Sequence, residues 1–309
     1  MKKILIVQKA FLGDVILTIP LIEVLSKKYE VHFLGRKRAK EFLSIHPCVK
    51  KYITFEDHNL FSLIKEIRKE NYEIAISPHR STNTGIILFF SGIKRKIGFN
   101  KGGARFFLTQ KIPYKYGIHE IERNLLLAEK VAILDREFNF YIPYKEEKLI
   151  YWKERIGENF ILFSPFSKWK TKMWPEEYWN KLSNMLNERI VIVGEKRILK
   201  NAKGINLSGE TDIFDLIAIV KLSKLVVSVD TSIVHIASAF KKKIVEIFGP
   251  TVKDFGFYPY KTKYEIAEVE NLPCRPCSPH GPKKCPLKHH KCMKDLKPEF
   301  VLKKIEKLL

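Results

Sequence analysis

The sequence predicts an α/β protein made of two doubly wound domains. Short β-rich apolar runs alternate with longer helical patterns, an order that is typical of parallel strands joined by crossover helices. The alternation stops in the polar segment 135–152, which contains a proline, and then begins again. A chain of 309 residues is also long for one ordinary core and suits two. We therefore expect an N-terminal domain over residues 1–150 and a C-terminal domain over residues 151–309.

The N-terminal half contains five predicted strands, each a short run rich in apolar and β-branched residues. They lie at 3–7, 31–34, 52–54, 73–76 and 96–98. Helical periodicity fills the segments between and after them. The helices are predicted at 15–27, 38–45, 60–70, 84–91 and 118–134.

The C-terminal half repeats this organisation. Its strands are predicted at 159–164, 189–193, 205–207, 225–229 and 243–248. Its helices are predicted at 175–187, 212–222, 232–240 and 298–309. The last helix is a candidate to pack back on the N-terminal domain. Two such domains would face each other across a cleft, and ligands of these folds bind at the carboxyl ends of the strands.

The chain is strongly basic, with 56 Lys and Arg against 34 Asp and Glu and a net charge of +22. Such a charge favours polyanionic partners, namely nucleic acid, anionic membranes or phosphorylated substrates. The sequence has no RNA-recognition signature and no tandem basic repeat, so nucleic acid is not expected. A basic surface without any specific partner is the alternative. Apolar runs such as 84–90 are too short to span a bilayer, and the first residues lack a signal peptide's apolar length, which suggests a cytoplasmic protein.

A candidate phosphate site follows the predicted strand 225–229, where the sequence reads DTSIVHIASAF. Asp230, Thr231 and Ser232 suit the start of a helix, whose unpaired N–H groups and positive dipole end bind phosphate. His235 lies one turn further on, on the face that would point at the cleft. The alternative is an ordinary capped helix with a partly buried histidine.

Three further loops at strand ends add polar groups to the same edge. The loop PFSKWKTKMWP brings Ser167 and Lys172, and cationic and hydroxyl groups there would neutralise a diphosphate leaving group. Glu195 in GEKR could accept hydrogen bonds from a ribose, and FGPT supplies Gly249 and Thr251. A solvated basic loop is the alternative. No GxGxxG or GxxxxGK[ST] motif is present, so NAD and P-loop interpretations lose support.

The first strand of the N-terminal half is followed by QKAFLGD. Gly13 permits a tight turn, and Asp14 could then take a proton from an acceptor hydroxyl as a general base. The alternative for Asp14 is a helix N-cap. Arg80, Lys101 and Arg105 follow other strands and would suit an anionic acceptor, although each of them could equally belong to a solvated surface.

Together these motifs resemble glycosyltransferase family nine, the ADP-heptose–lipopolysaccharide heptosyltransferases. The resemblance covers nearly the whole chain and is carried by GDVILTIPLI, RKIGF, HEIERNLLLAE, KMWPEEYW, LVVSVDTSIVHIASAF and EIFGPT. The tail CRPCSPHGPKKCPLKHHKCM is most similar to the heptosyltransferase II branch, which adds the second inner-core heptose.

The resemblance implies a GT-B fold, in which two Rossmann-like domains bind the acceptor and the ADP-sugar donor respectively. It implies inversion at the anomeric carbon without a metal or other cofactor. Asp14 matches the general base, Lys172 the lysine that contacts the diphosphate, and Glu195 the acid that holds the ribose. The donor-binding motif matches Asp230, Thr231, Ser232 and His235. Ser232 stands where many members have glycine, which would narrow the approach to phosphate.

The implied acceptor is the anionic lipid A core, a lipid that already carries one heptose on its Kdo. A basic enzyme could meet it by docking peripherally on the inner leaflet of the inner membrane, since each Lys or Arg near an anionic leaflet adds about 1 kcal/mol. Two other functions stay open at this stage. One is heptosyltransferase I, or a family-nine enzyme with another donor or acceptor. The other is a non-enzymatic, basic nucleotide- or nucleic-acid-binding protein, which would bind oligonucleotides in a salt-dependent way.

Four of the five cysteines, Cys274, Cys277, Cys285 and Cys292, cluster near the C-terminus. The CxxC start is typical of zinc ligands, but the second pair is spaced unlike a usual zinc ribbon. Disulfides are disfavoured in a reducing cytosol. We therefore favour a metal-free basic loop that borders the cleft over a structural zinc site.

Overall fold

A computed structural model describes residues 1–131, 135–196, 199 and 201–309. The chain forms two compact units, Met1–Pro143 and Tyr144–Leu309. The predicted division after residue 150 lies inside a helix of the second unit, Glu146–Ile156, which the sequence analysis did not predict.

Hydrogen bonds within the first unit explain why the division falls before residue 150. The carboxylate of Glu23 accepts hydrogen bonds from the backbone N–H groups of Asn139, Phe140 and Tyr141, at 2.8, 2.9 and 2.7 Å. Hydrogen bonds to a charged group contribute about 1.5–3 kcal/mol. Residues 139–141 are therefore fixed to the first unit, and the connection to the second follows them directly.

The described residues of the first unit form a parallel six-stranded sheet in the order β3-β2-β1-β4-β5-β6. Its strands are β1 (Lys2–Val7), β2 (Tyr29–Gly35), β3 (Lys51–Thr54), β4 (Ile74–Ser77), β5 (Arg95–Phe99) and β6 (Gln110–Ile112). Its helices are α1 (Leu12–Ile16), α2 (Ile19–Ser26), α3 (Lys37–Leu43), α4 (Leu60–Lys69), α5 (Thr82–Phe90) and α6 (Glu120–Ala128). Residues 4–7 of β1 and all residues of β4 are buried, as expected for central strands covered on both faces.

The second unit has the same architecture, with strand order β12-β11-β10-β7-β8-β9 in its described part. Its strands are β7 (Ile161–Ser164), β8 (Ile190–Ile192), β9 (Ile205–Asn206), β10 (Leu225–Val229), β11 (Lys243–Phe248) and β12 (Tyr264–Glu268). Its helices are α7 (Glu146–Ile156), α8 (Glu176–Met185), α9 (Ile213–Leu222), α10 (Ser232–Ala239), α11 (Lys291–Lys294) and α12 (Pro298–Glu306). The predicted α/β class with two doubly wound sheets is confirmed.

The sequence analysis missed one edge strand in each sheet. Strand β6 has only three residues, and β12 reads YEIAE, with most of its side chains partly exposed. Edge strands carry a weaker apolar signal because one long side is unpaired and fewer neighbours cover them.

Two predicted helices differ from the structure. The helix predicted at 15–27 is divided into α1 and α2. Pro20 lies in the first turn of α2, and a proline has no backbone N–H that could donate a hydrogen bond to the preceding turn. The helix predicted at 118–134 is α6, which ends at Ala128. Val131 N–H donates to the Ala128 carbonyl in a tighter turn, and 132–134 lie outside the described residues.

The last helix, α12, buries Val301 and Ile305 in the core of the second unit, against strands β11 and β12. These side chains of the last helix, for which packing on the N-terminal domain was considered, are therefore part of the core of the second unit. In the described part of the chain, no helix combines the length and the apolar character that crossing a bilayer requires.

Strand order locates the binding edge of each sheet. In a doubly wound sheet, ligands bind where neighbouring strands lead the chain in opposite directions. This position lies between β1 and β4 in the first unit and between β7 and β10 in the second. The segments that follow these four strands contain Asp14, Arg80, Lys172 and Asp230.

Candidate active site

A buried ion pair occupies the binding edge of the second unit. Lys172 ends the 3₁₀ turn Lys170–Lys172 after β7, and its Nζ lies 2.6 Å from Oδ2 of Asp230, directly after β10. Thr251 Oγ1, after β11, donates to the same oxygen at 2.8 Å. Burial alone would raise the pKa of Asp230, but the Lys172 charge and these hydrogen bonds lower it. Asp230 is therefore an ionised carboxylate that orients the lysine.

Helix α10 begins beside this pair. Thr231 is its N-cap, and the threonine side chain makes no capping hydrogen bond to the helix; its Oγ1 instead lies 3.3 Å from Ser228 Oγ. Ser232 is the first helical residue and is half-buried. The Lys172 ammonium and the positive end of α10 therefore lie together, an arrangement that suits a phosphate group.

His235 lies one turn into α10 and is almost fully buried. Burial lowers its pKa to about 4, since the attraction of Asp230 is opposed by Lys172 and does not offset desolvation. At neutral pH the imidazole is uncharged. It can take part in hydrogen bonds with a ligand, but it does not add positive charge to the site.

The other predicted donor contacts occupy strand-end loops with different exposure. Ser167 is buried, and its Oγ accepts a hydrogen bond from the backbone N–H of Trp169. Glu195 is exposed after β8. Gly249 is buried after β11, where a Cβ would lie 2.5 Å from Met293 Cε, so a larger residue would require the Met293 side chain to move.

The sequence analysis missed a carboxyl group beneath the ion pair. Glu246, on β11, is fully buried, and both of its carboxyl oxygens lack a hydrogen-bond partner. It pairs in register with Ser228 of β10, which in turn pairs with Ser164 of β7. Burial, together with the negative charge of Asp230, raises the pKa of Glu246 well above its usual value. The group is therefore held as a neutral acid.

Replacing Glu246 by glutamine should change how stability depends on pH. The folded-state pKa is raised, so the folded protein keeps a proton that the unfolded chain releases above about pH 4.3. The free energy of unfolding of the wild type therefore falls as pH rises from that value towards the folded pKa. We expect Glu246→Gln to gain stability relative to the wild type between pH 4 and pH 8 in urea unfolding. A stability difference that is the same at both pH values would show that the carboxyl is not held protonated.

The cysteine-rich segment packs against this site. Nη2 of Arg275 donates to the Thr251 carbonyl at 2.8 Å, and Nε2 of His290 lies 2.8 Å from the Thr171 carbonyl. A Cβ on Gly281 would lie 3.4 Å from Cγ of Lys172. The segment thus contacts the backbone at Thr171 and Thr251, which flank the ion pair. The sequence analysis did not assign a role to Arg275 or His290.

The four cysteines of this segment, Cys274, Cys277, Cys285 and Cys292, are free thiols in the structure. Among the described residues, no three His, Cys, Asp or Glu side chains are grouped so that they could hold a metal ion. Cys292 lies in the apolar core beside Met293.

Asp14 lies in the first turn of α1, at the binding edge of the first unit. The helix begins at Leu12 with Phe11 as its N-cap, so the N-cap interpretation of Asp14 was wrong. Gly13 precedes it inside the helix. The Asp14 backbone carbonyl accepts a hydrogen bond from Thr18 Oγ1 at 2.7 Å. Its carboxylate thus stands where the helix dipole favours negative charge.

The charge of Asp14 acts on a buried carboxyl group at the start of α6. Glu120 begins α6 and pairs with Arg123, and both side chains are almost fully buried. Burial raises the pKa of Glu120 to about 7, with a further increase from the Asp14 charge against the opposing charges of Arg123 and Arg80. The first unit thus combines a helix-start carboxylate with a second carboxyl and two arginines.

Three cationic side chains of the first unit lie over the ring of Tyr114. Arg80, Lys101 and Arg123 lie over its ring at 4.3, 4.2 and 4.3 Å from the centroid. Two of the predicted acceptor residues, Arg80 and Lys101, are thus brought together. The third, Arg105, lies instead over the exposed ring of Phe106, at 4.7 Å.

The sequence analysis did not select a buried lysine that follows the first strand. Lys9 follows β1, is buried, and donates from Nζ to Asn83 Oδ1 at 3.0 Å. Burial and the charge of Arg36 lower its pKa to about 8. The quoted motif QKAFLGD contained this residue, and its place just after a central strand was the signal for it.

Comparisons with known proteins agree with this architecture. Residues 60–289 match the family model of glycosyltransferase family 9 (heptosyltransferase). The lipooligosaccharide heptosyltransferase 2 of Campylobacter jejuni is 27% identical over 330 residues, which cover 99% of this chain and 98% of the relative. The family 9 glycosyl transferase of Veillonella parvula has a TM-score of 0.81 at 20% identity, over 99% of this chain and 97% of that structure. The E. coli ADP-heptose LPS heptosyltransferase II has a TM-score of 0.78 at 20% identity, over 99% and 98%.

The solved structures confirm the GT-B fold with its two Rossmann-like domains. The family model covers well over half of the chain, which confirms the resemblance and removes the non-enzymatic binding protein from consideration. The chain therefore belongs to glycosyltransferase family 9, the heptosyltransferase family, and is a glycosyltransferase.

Proposed function

We propose that this enzyme transfers heptose from ADP-L-glycero-D-manno-heptose to the inner core of lipopolysaccharide. The observation that carries the proposal is the Lys172 ammonium, held by Asp230 at the start of α10. A buried cation beside a helix N-terminus suits the diphosphate of a nucleotide sugar. The heptosyltransferase 2 and II names of the Campylobacter relative and the E. coli structure support an acceptor that already carries one heptose on its Kdo.

In the proposed reaction, an acceptor hydroxyl oxygen bonds to the anomeric carbon of the donor heptose while the bond from that carbon to the β-phosphate oxygen breaks. Asp14 takes the hydroxyl proton as general base. ADP leaves with the bonding electron pair, and Lys172 with the N–H groups of α10 stabilises its added negative charge. One displacement inverts the anomeric carbon.

We propose that the remaining strand-end groups bind the two substrates. The ADP-sugar donor is assigned to Ser167, Glu195, Asp230, Thr231, Ser232, His235 and Gly249, with Asp230 acting through Lys172. The anionic acceptor is assigned to Gly13, Arg80 and Lys101, the last two of which present their charges around Tyr114. No metal or other cofactor is required in this scheme, because Lys172 and α10 provide the positive charge that the departing ADP needs.

The test is ADP release from ADP-heptose with two acceptors, one with a heptose on its Kdo and one without. We expect release that depends on the heptose-bearing acceptor and is unchanged by EDTA. Release only with the heptose-free acceptor would assign the enzyme to the heptosyltransferase I position. Measurable ADP binding without release on either acceptor would contradict the proposed donor or acceptor while leaving the family unchanged.

A further inference from the structure

The charge of this protein is unevenly distributed along the first unit. The 46 residues from 74 to 119 contain no Asp or Glu and eight Lys or Arg. At the average of 34 acidic residues in 309, a stretch of this length would hold about five. The acid-free stretch contributes β4, α5, β5 and β6, so the surface it forms is positive over several adjoining elements.

Three phenylalanine rings project from this stretch into solvent. Phe89 and Phe90, at the end of α5, are 56% and 50% exposed, and Phe106, in the turn Gly103–Phe107, is 71% exposed. Large apolar side chains that are exposed together usually mark an interaction surface, whereas single ones need no explanation.

Helix α5, which carries Phe89 and Phe90, packs on the turn that carries Phe106. The Phe89 ring meets those of Phe90 and Phe107 edge-on, at centroid distances of 5.2 and 5.9 Å. A Cβ on Gly85 of α5 would lie 2.4 Å from the Phe107 ring, so glycine there lets the helix and the turn approach closely.

Exposed arginines flank the rings. Arg105 lies over Phe106, and Arg68 of α4 donates from Nε to the Phe90 carbonyl at 2.9 Å. The carboxylates of α4, Glu66 and Glu70, are both paired with Lys51, at 2.8 and 2.9 Å. The surface therefore combines apolar rings with positive charge and no acidic group of its own stretch.

We propose that this aromatic face, formed by Phe89, Phe90, Phe106, Arg68 and Arg105, docks on the surface of an anionic lipid bilayer. The inference deepens the proposed function, on which it rests for the lipid nature of the acceptor. Aromatic rings enter the interfacial region of a bilayer, and basic side chains beside them bind anionic headgroups. The same acid-free stretch supplies Arg80 and Lys101, so the docked face and the proposed acceptor groups come from adjoining elements.

The test is co-sedimentation of the full chain with vesicles of phosphatidylcholine alone or with phosphatidylglycerol. The variant Phe89→Ser/Phe90→Ser/Phe106→Ser should lose at least about tenfold in partitioning to the anionic vesicles, because the apolar area of three rings no longer enters the bilayer interface. Arg68→Gln/Arg105→Gln should lose about thirtyfold, since each basic residue near the surface contributes about fivefold. Phe300→Ser is the matched control, because that ring is also exposed beside a cation, Lys304, but lies on the second unit.

Binding by the triple phenylalanine variant equal to that of the wild type would overturn the proposal, as would an equal loss with Phe300→Ser. Thermal unfolding checks that the serine variants are folded, and the rings are exposed enough that we expect little change. A transfer assay with an acceptor stripped of its acyl chains keeps the two proposals separate. If the wild type does not transfer heptose to this acceptor, the proposed reaction is contradicted. If the triple phenylalanine variant also loses vesicle binding, the docking surface is nevertheless supported.

Discussion

Asp14→Asn should lower kcat by about 10²–10⁴-fold, the usual contribution of general base catalysis. The amide keeps the shape of the carboxylate but cannot accept a proton at neutral pH. The position lies in the first turn of α1, where the helix dipole favours a negative charge without requiring it for folding. The measurement is steady-state ADP release with the heptose-bearing acceptor.

Two controls define that result. ADP affinity should be unchanged in Asp14→Asn, because the donor groups lie on the second unit. Glu41→Gln makes the same chemical change on an exposed surface of the first unit and should leave kcat unaltered. Full activity of Asp14→Asn would remove Asp14 from the reaction and leave the base unassigned.

Lys172→Met should reduce turnover by about 10²–10³-fold, the range measured when one group that stabilises a developing oxyanion is removed. It should also weaken ADP binding, since the ammonium is proposed to meet the diphosphate before and after transfer. The change carries a structural cost as well. The Lys172 and Asp230 side chains are only 10% and 11% exposed, and leaving one charge of a buried pair unpaired costs about 3–5 kcal/mol.

The double variant Lys172→Met/Asp230→Asn separates these two effects. An asparagine can still accept the hydrogen bond from Thr251, and no buried charge is left without a partner. We expect the double variant to recover most of the lost stability in thermal unfolding while turnover stays low. Recovery of turnover together with stability would mean that the lysine serves only to neutralise Asp230.

The central strands of both sheets could be predicted from sequence because burial on two faces makes them continuous apolar runs. Strands β10 and β11 lie where they were expected, whereas the edge strands β6 and β12 were missed because their partial exposure weakens that pattern. Helix α7 was missed for a related reason: only Trp152 and Ile156 of its 11 residues are buried.

The candidate site was predictable where a functional side chain lies in the connection that follows a central strand. Asp230 directly follows β10, Lys172 lies in the 3₁₀ turn after β7, and Asp14 lies in the first helix after β1. Glu246 could not be found in this way, because it lies within a strand, where its neighbours in the sequence predict an apolar side chain. The contacts of Arg275 and His290 with the backbone beside the ion pair depend on the path of an irregular segment, which local sequence does not determine.

The anomeric configuration of the transferred heptose tests the proposed mechanism most directly. NMR of the product formed from ADP-heptose and the heptose-bearing acceptor reports whether the configuration at the anomeric carbon has changed. A single displacement assisted by Asp14 predicts one added heptose with the configuration opposite to that of the donor. A product that retains the donor configuration would contradict the mechanism, because it requires two displacements and a second nucleophile that the scheme does not contain.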